Sequence, residues 1–175
     1  MKNFLFGLMV GLIALPLVIF VIATMGRFNV QATAEPPRWE KALARRAFDA
    51  SVARHAERLQ NPIAPTEENL LAGLMMFRNN CSGCHGDSDQ RSVWGTQGFY
   101  PRVQQFAFEH PTKPDWQMFW IVKNGVRNSG MGAWKDLVAE EKIWLVVTFL
   151  SKLDSLPPTV EAHWHKQPMP EPKKK

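Results

Sequence analysis

The chain has 175 residues, 45% hydrophobic and 21% charged, with a formal charge of +5, which fits one modest domain with extensions. Residues 66–156 hold nine Lys/Arg against ten Asp/Glu, while residues 27–65 hold seven against four and residues 157–175 four against two. A nucleic-acid-binding core would gather Lys and Arg on its own surface, so that class is excluded, whereas basic flanks suit anionic lipid or an acidic partner.

Phe4 to Met25 carries no charge between Lys2 and Arg27. At about 1.5 Å per residue it extends roughly 33 Å, enough to cross a hydrocarbon core of about 30 Å. The apolar core of a signal peptide is shorter, about 7–15 residues. Ala32-Thr33-Ala34 resembles a cleavage site but lies well past the run. The expectation is an uncleaved single-pass anchor over residues 1–27, bent at Pro16, contacting lipid through residues 4–25. Lys2 would stay in the cytoplasm, with the remainder outside.

Residues 28–65 read as a connecting helix and a linker. Pro36-Pro37 opens the helix and Asn61-Pro62 closes it. Trp39 and Leu43 share one side, with Phe48, Val52 and Leu59 roughly opposite. Two opposed stripes suggest that the near end meets lipid or a membrane partner and the far end the domain that follows. His55 falls on the Phe48 side and reads as a packing or surface residue. "NPIAPT" reads as a short, stiff linker.

"TEENLLAGLMMFRNN" is a helix capped by Thr66, with Glu67 and Glu68 in its first turn and Leu70, Leu74 and Phe77 on one stripe. Gly73 costs helix stability and so marks a close helix approach. "CSGCH" follows. Cys81 and Cys84 are the only cysteines. A tetrahedral zinc site would need two more ligands, and His55, His110, His163 and His165 offer no paired spacing nearby. A thioredoxin-like site would sit beside a βαβ pattern, which is absent. Cys-x-x-Cys-His is the attachment signature of c-type haem: the short spacer lets both sulfurs reach one porphyrin edge, and His85 becomes the proximal iron ligand. Covalent haem attachment on the periplasmic side of bacteria agrees with the orientation inferred for the anchor.

Residues 86–113 read as loop around a flat ligand. "PDWQMFWIVKNG" is a short helix, with Pro114 near its start and Gly125 at its end. "AEEKIWLVVTFLSKL" is an apolar final helix, with Asp136, Glu140 and Glu141 near its start and Lys152 near its end. No strand alternation occurs, so the fold class is all-α. A second axial ligand is sought between these helices. Met131 sits in a Gly-flanked loop 46 residues beyond His85. Met75, Met76 and Met118 lie on helices unsuited to the opposite haem face. Methionine also fills core gaps, but paired with histidine on iron it raises the reduction potential.

Residues 66–156 resemble class I cytochromes c. Gly73 and Phe77 match the Gly and aromatic residue before the haem motif, where the first helix crosses the last. Cys81, Cys84 and His85 match haem attachment and proximal ligation. "NGVRNSGMGAW" is similar to the family's "NG…GMPAW" loop, with Gly132 where proline is usual. The resemblance implies Met131 as distal ligand, Trp134 near the haem edge, and aromatics at Trp144 and Phe149 on the last helix. It also implies Pro101 as the residue whose carbonyl accepts a hydrogen bond from the proximal histidine. The anchor and helix before residue 66 look like those of membrane-tethered bacterial cytochromes.

The implied function is single-electron transfer by one covalent haem c. The carrier would sit in the periplasm on a bacterial inner membrane and serve a respiratory or photosynthetic chain. Its partners would be redox proteins or a membrane-complex scaffold. It would be a carrier, not itself an enzyme. A peroxidase or gas sensor would need an open or labile sixth position instead. The tail 157–175 is Pro-rich and charged and reads as disordered, with a His163/His165 pair as a solvated feature.

Overall fold

The computed structural model describes residues 2–27 and 29–166. The chain divides into two compact units, residues 1–34 and 35–175. The first holds α1, Lys2–Thr24, whose 23 residues span roughly 35 Å. Its side chains are exposed along its whole length, so no protein core accounts for its apolarity. Pro16 lies inside it, and Thr24 Oγ1 donates back to Phe20 O at 3.0 Å.

The second unit is all-helical, with no strand among its described residues. It comprises α2 (Arg38–His55), α3 (Glu67–Asn80), α4 (Ser82–His85), α5 (Val93–Gln97), α6 (Asp115–Asn124), α7 (Glu140–Leu150) and α8 (Pro158–Lys166). Thr66 caps α3 as the sequence predicts, its hydroxyl accepting from Asn69 N at 3.3 Å. The buried stripe of α3, Leu70, Leu74 and Phe77, lies against α7, which buries seven of its eleven residues.

At their crossing, a β-carbon on Gly73 would fall inside van der Waals contact with Leu145 O and 2.8 Å from Phe149 Cβ. The close approach expected at Gly73 is therefore present. Phe77 and Phe149 meet at 5.8 Å in one core cluster. Phe119 and Trp144 stack at 3.9 Å in a second cluster, between α6 and α7.

The helix expected to run to Asn61-Pro62 ends at His55, where Ala56 turns to extended backbone, and its second stripe joins the domain as the sequence suggests. Val52 and Ala56 are buried, and Phe48 lies under the Lys113 ammonium, which also pairs with Asp49 at 2.6 Å. Asn61 in the expected linker donates to Asp115 Oδ2 at 2.8 Å and Thr148 Oγ1 at 2.9 Å, tying it to α6 and α7.

The expected disordered tail begins instead with a packed helix. Val160 and Trp164, four residues apart, are buried in α8, and Trp164 sets its edge against Phe77 at 5.8 Å and Phe149 at 5.3 Å. Two apolar residues at helical spacing outweigh a Pro-rich, charged composition once a core is there to receive them. Residues 167–175 of that tail lie outside the described residues.

The crossing yields a test. Gly73→Ala should destabilise the domain by about 1–3 kcal/mol, the cost of overpacking a close contact, measured as a lowered denaturant midpoint. An unchanged midpoint would contradict the crossing.

Candidate functional site

The motif is built by continuing α3 through its own end. Cys81 caps α3, its N–H donating to Phe77 O at 2.7 Å, and α4 forms a single further turn. The N–H of His85 donates to Cys81 O at 2.9 Å, and Ser82 Oγ donates to Arg78 O at 2.7 Å. Helical spacing of three puts both cysteines on one face. Both are free and half-buried. Burial, reinforced by the neighbouring Cys84, pushes the Cys81 thiol up to about 12, so it stays protonated at neutral pH.

His85 Nδ1 donates to Gln104 O at 2.8 Å, and its ring stacks on Phe106 at 4.4 Å. Burial lowers its pKa below 6.5, with the Gln104 hydrogen bond pulling the other way. The ring is therefore neutral at pH 7, its proton is on Nδ1, and Nε2 is the nitrogen left to bind a metal.

The carbonyl expected from Pro101 is thus supplied by Gln104, three residues on. The reason lies in the loop after α5. Arg102 ties down Gln97 O at 2.9 Å and Phe99 O at 2.8 Å, and Val103 N donates to Gly95 O at 3.1 Å. This coils the chain near Pro101, which is exposed, and brings it to His85 only at Gln104.

Gln105 locks that arrangement. It is 1% exposed. Its Oε1 accepts from Ser92 N at 2.7 Å, and its Nε2 donates to Cys84 O at 3.0 Å and Val103 O at 2.9 Å. Ser92 caps α5 and donates to Gly83 O at 2.6 Å inside the motif. A side chain at Gly95 would overlap Cys84 O, so α5 lies directly on the motif's backbone.

On the other side, Arg78 pairs with the buried Asp87 at 3.1 Å. It also donates to His163 O at 2.9 Å and to Trp164 O, holding the end of α8 beside the motif. Sequence reasoning assigned none of these residues a role. Ser92 was legible as a helix cap before "VWG"; Gln105 carries no local signal.

Met131 is half-buried in the loop joining α6 to α7. Ser129 Oγ accepts from Met131 N at 3.1 Å and donates to Val126 O at 2.8 Å, and Met131 O accepts from Val126 N at 2.9 Å. Gly130 meets the ring of Phe99, where a β-carbon would come to 2.6 Å. Phe99 in turn meets Trp94 of α5 at 5.2 Å. The methionine loop, α5 and the Cys-x-x-Cys-His turn therefore form one contiguous wall. Gly132 has open space around it.

Trp134, expected near a haem edge, packs against the α6–α7 cluster and donates its backbone N–H to Lys123 O at 3.2 Å. His55 lies apart, facing Trp120 at 6.4 Å. His163 bonds Thr159 O and His165 faces Asp89. Among the described residues no three His, Cys, Asp or Glu side chains converge as a metal site, which disfavours structural zinc at the cysteines. Two free thiols on one face, followed by a neutral histidine with its Nδ1 already engaged, are instead a donor set that fits haem c.

Residues 68–150, just under half the chain, match the family model described as cytochrome c oxidase, cbb3-type, subunit III. No curated protein and no solved structure matches the chain.

Gln105→Leu should leave Ser92 N–H, Cys84 C=O and Val103 C=O without their partner. At about 1–3 kcal/mol for each of the three stranded groups, the loss should be at least about 3 kcal/mol, read by denaturant unfolding of the haem-loaded protein. A loss below about 0.5 kcal/mol would contradict the role given to Gln105.

Proposed function

We propose that this chain, whose residues 68–150 form a class I cytochrome c domain, carries single electrons at the periplasmic face of a bacterial inner membrane. The observation that carries the reading is the placing of His85: its Nδ1 is fixed by Gln104 O, directly after two half-buried cysteines on one helical face. Haem c, when bound, supplies an iron that changes oxidation state by one electron.

The chain's own residues would do the rest. Cys81 and Cys84 would hold one haem by thioethers. His85 would be the proximal ligand, and the Gln104 carbonyl would raise its basicity. Met131 would be the distal ligand, held in place by Ser129 and by the Gly130–Phe99 contact. With His85 and Met131 both holding the iron, oxygen and peroxide would be kept off it, which suits a carrier and not a peroxidase or sensor. Trp134, set in the α6–α7 core, would stiffen the end of the methionine loop.

The membrane reading rests on α1, long enough to cross a bilayer and unaccompanied by any core of its own. The match to an oxidase subunit favours a membrane complex as the setting, either as a fixed subunit or as a tethered donor to it. The family model concerns residues 68–150 alone, so the anchor reading stands on composition and length.

Two measurements test this. The ferric spectrum of the purified protein should show the weak near-infrared sulfur-to-iron charge-transfer band. Met131→Ala should abolish it and lower the potential by on the order of 0.1 V, within the roughly 0.8 V that axial ligation spans. A wild type without the band, and with ready carbon monoxide binding when reduced, would point to the open-site reading. Separately, the protein should resist carbonate extraction from membranes with residues 2–24 still present by intact mass. Release into the soluble fraction with a new terminus after Ala34 would make α1 a cleaved signal.

A further inference from the structure

We propose that the outward face of α2 is a docking surface for an anionic lipid bilayer, laying the haem domain against the membrane instead of leaving it on a free tether. The inference rests on α1 being retained as an anchor.

The helix has two distinct sides. Val52 and Ala56 are buried, Phe48 is half-buried beside them, and Asp49 is engaged by Lys113. At about 100° per residue, Trp39, Leu43, Arg46, Ala50 and Arg54 fall within an arc of about 80° on the opposite side. Trp39 is 62% exposed and Leu43 63% exposed. That arc contains no acidic residue. Arg46 and Arg54 form no ion pair or hydrogen bond among the described residues.

The chemistry selects lipid. Tryptophan with leucine on one face, flanked by arginines, is the composition of a helix lying in a bilayer interface. The indole and isobutyl groups enter the headgroup boundary, and the long guanidinium side chains reach phosphates. A stable protein interface would instead need a broad, well-packed apolar centre. Here only two large apolar residues stand among alanines and arginines over about four turns.

Reach agrees with this. The segment between Thr24 and Arg38 covers at most about 45–50 Å when fully extended. A tether of that length permits this face of α2 to meet the bilayer.

The test uses the full-length haem-loaded protein in vesicles of phosphatidylcholine with phosphatidylglycerol, and in vesicles of phosphatidylcholine alone. A spin label is placed at Leu43→Cys, or at Lys142→Cys on the exposed first turn of α7 as a reference. In the anionic vesicles the Leu43→Cys label should be shielded from a water-soluble relaxation agent and accessible to oxygen, unlike the reference. Arg46→Gln and Arg54→Gln should each shift the label about fivefold toward the exposed state, the worth of one arginine at an anionic surface.

Equal exposure of both labels, in a protein retained through carbonate washing, would overturn the surface alone. Loss of the protein from the vesicles would overturn the anchor and the surface together. Shielding in native membranes but not in anionic vesicles would replace lipid with a protein partner and so also overturn the proposal.

Discussion

The close crossing of α3 and α7 at Gly73 is the constraint on which the second unit depends. Without a side chain there, the backbone of α3 approaches Leu145 O and Phe149 Cβ directly. That approach lets Phe77 and Phe149 meet and share Trp164 of α8. The consequence for function is positional. Cys81 and the α4 turn are a rigid continuation of α3, so the orientation of the two cysteines and His85 is fixed by a helix crossing some two to three turns away.

The second support is polar. Gln105 and Ser92 fasten the loop on one side of the motif, and the Arg78–Asp87 pair fastens the other. Both networks are buried, where stranded donors and acceptors are costly, so they rigidify the site more than their number suggests. The methionine loop is held differently, by short-range turns around Ser129 and by the Gly130–Phe99 contact. A ligand on such a loop is easier to displace than one that extends a packed helix.

Much of this was legible in the sequence because it depends on local rules. The cap at Thr66, the stripe on α3, the glycine at the crossing and the end of α6 at Gly125 follow from spacing and backbone preference alone. So does the placement of the cysteines and His85 on one turn. What failed depended on distant partners. Nothing near Pro101 reveals that Arg102 coils the loop and brings Gln104 to His85 instead. Nothing in "HWHKQPMPEPKKK" reveals that Trp164 finds Phe77 and Phe149. The opposed stripes on α2 were visible too, and the side carrying Val52 packs on the domain while Trp39 and Leu43 stay exposed, as their spacing suggested. Composition judged the tail of the chain as an independent segment, whereas burial of two well-spaced apolar residues made α8 part of the fold.

Whether Cys81, Cys84 and His85 together hold haem c is read from the intact mass of the purified protein after acid-acetone extraction. One haem should remain attached to each chain, with attachment weakened in Cys81→Ser and Cys84→Ser and lost when both are replaced. Haem that extracts completely from the wild type, or a purified chain whose two thiols both react as free cysteines under denaturing conditions, would contradict it.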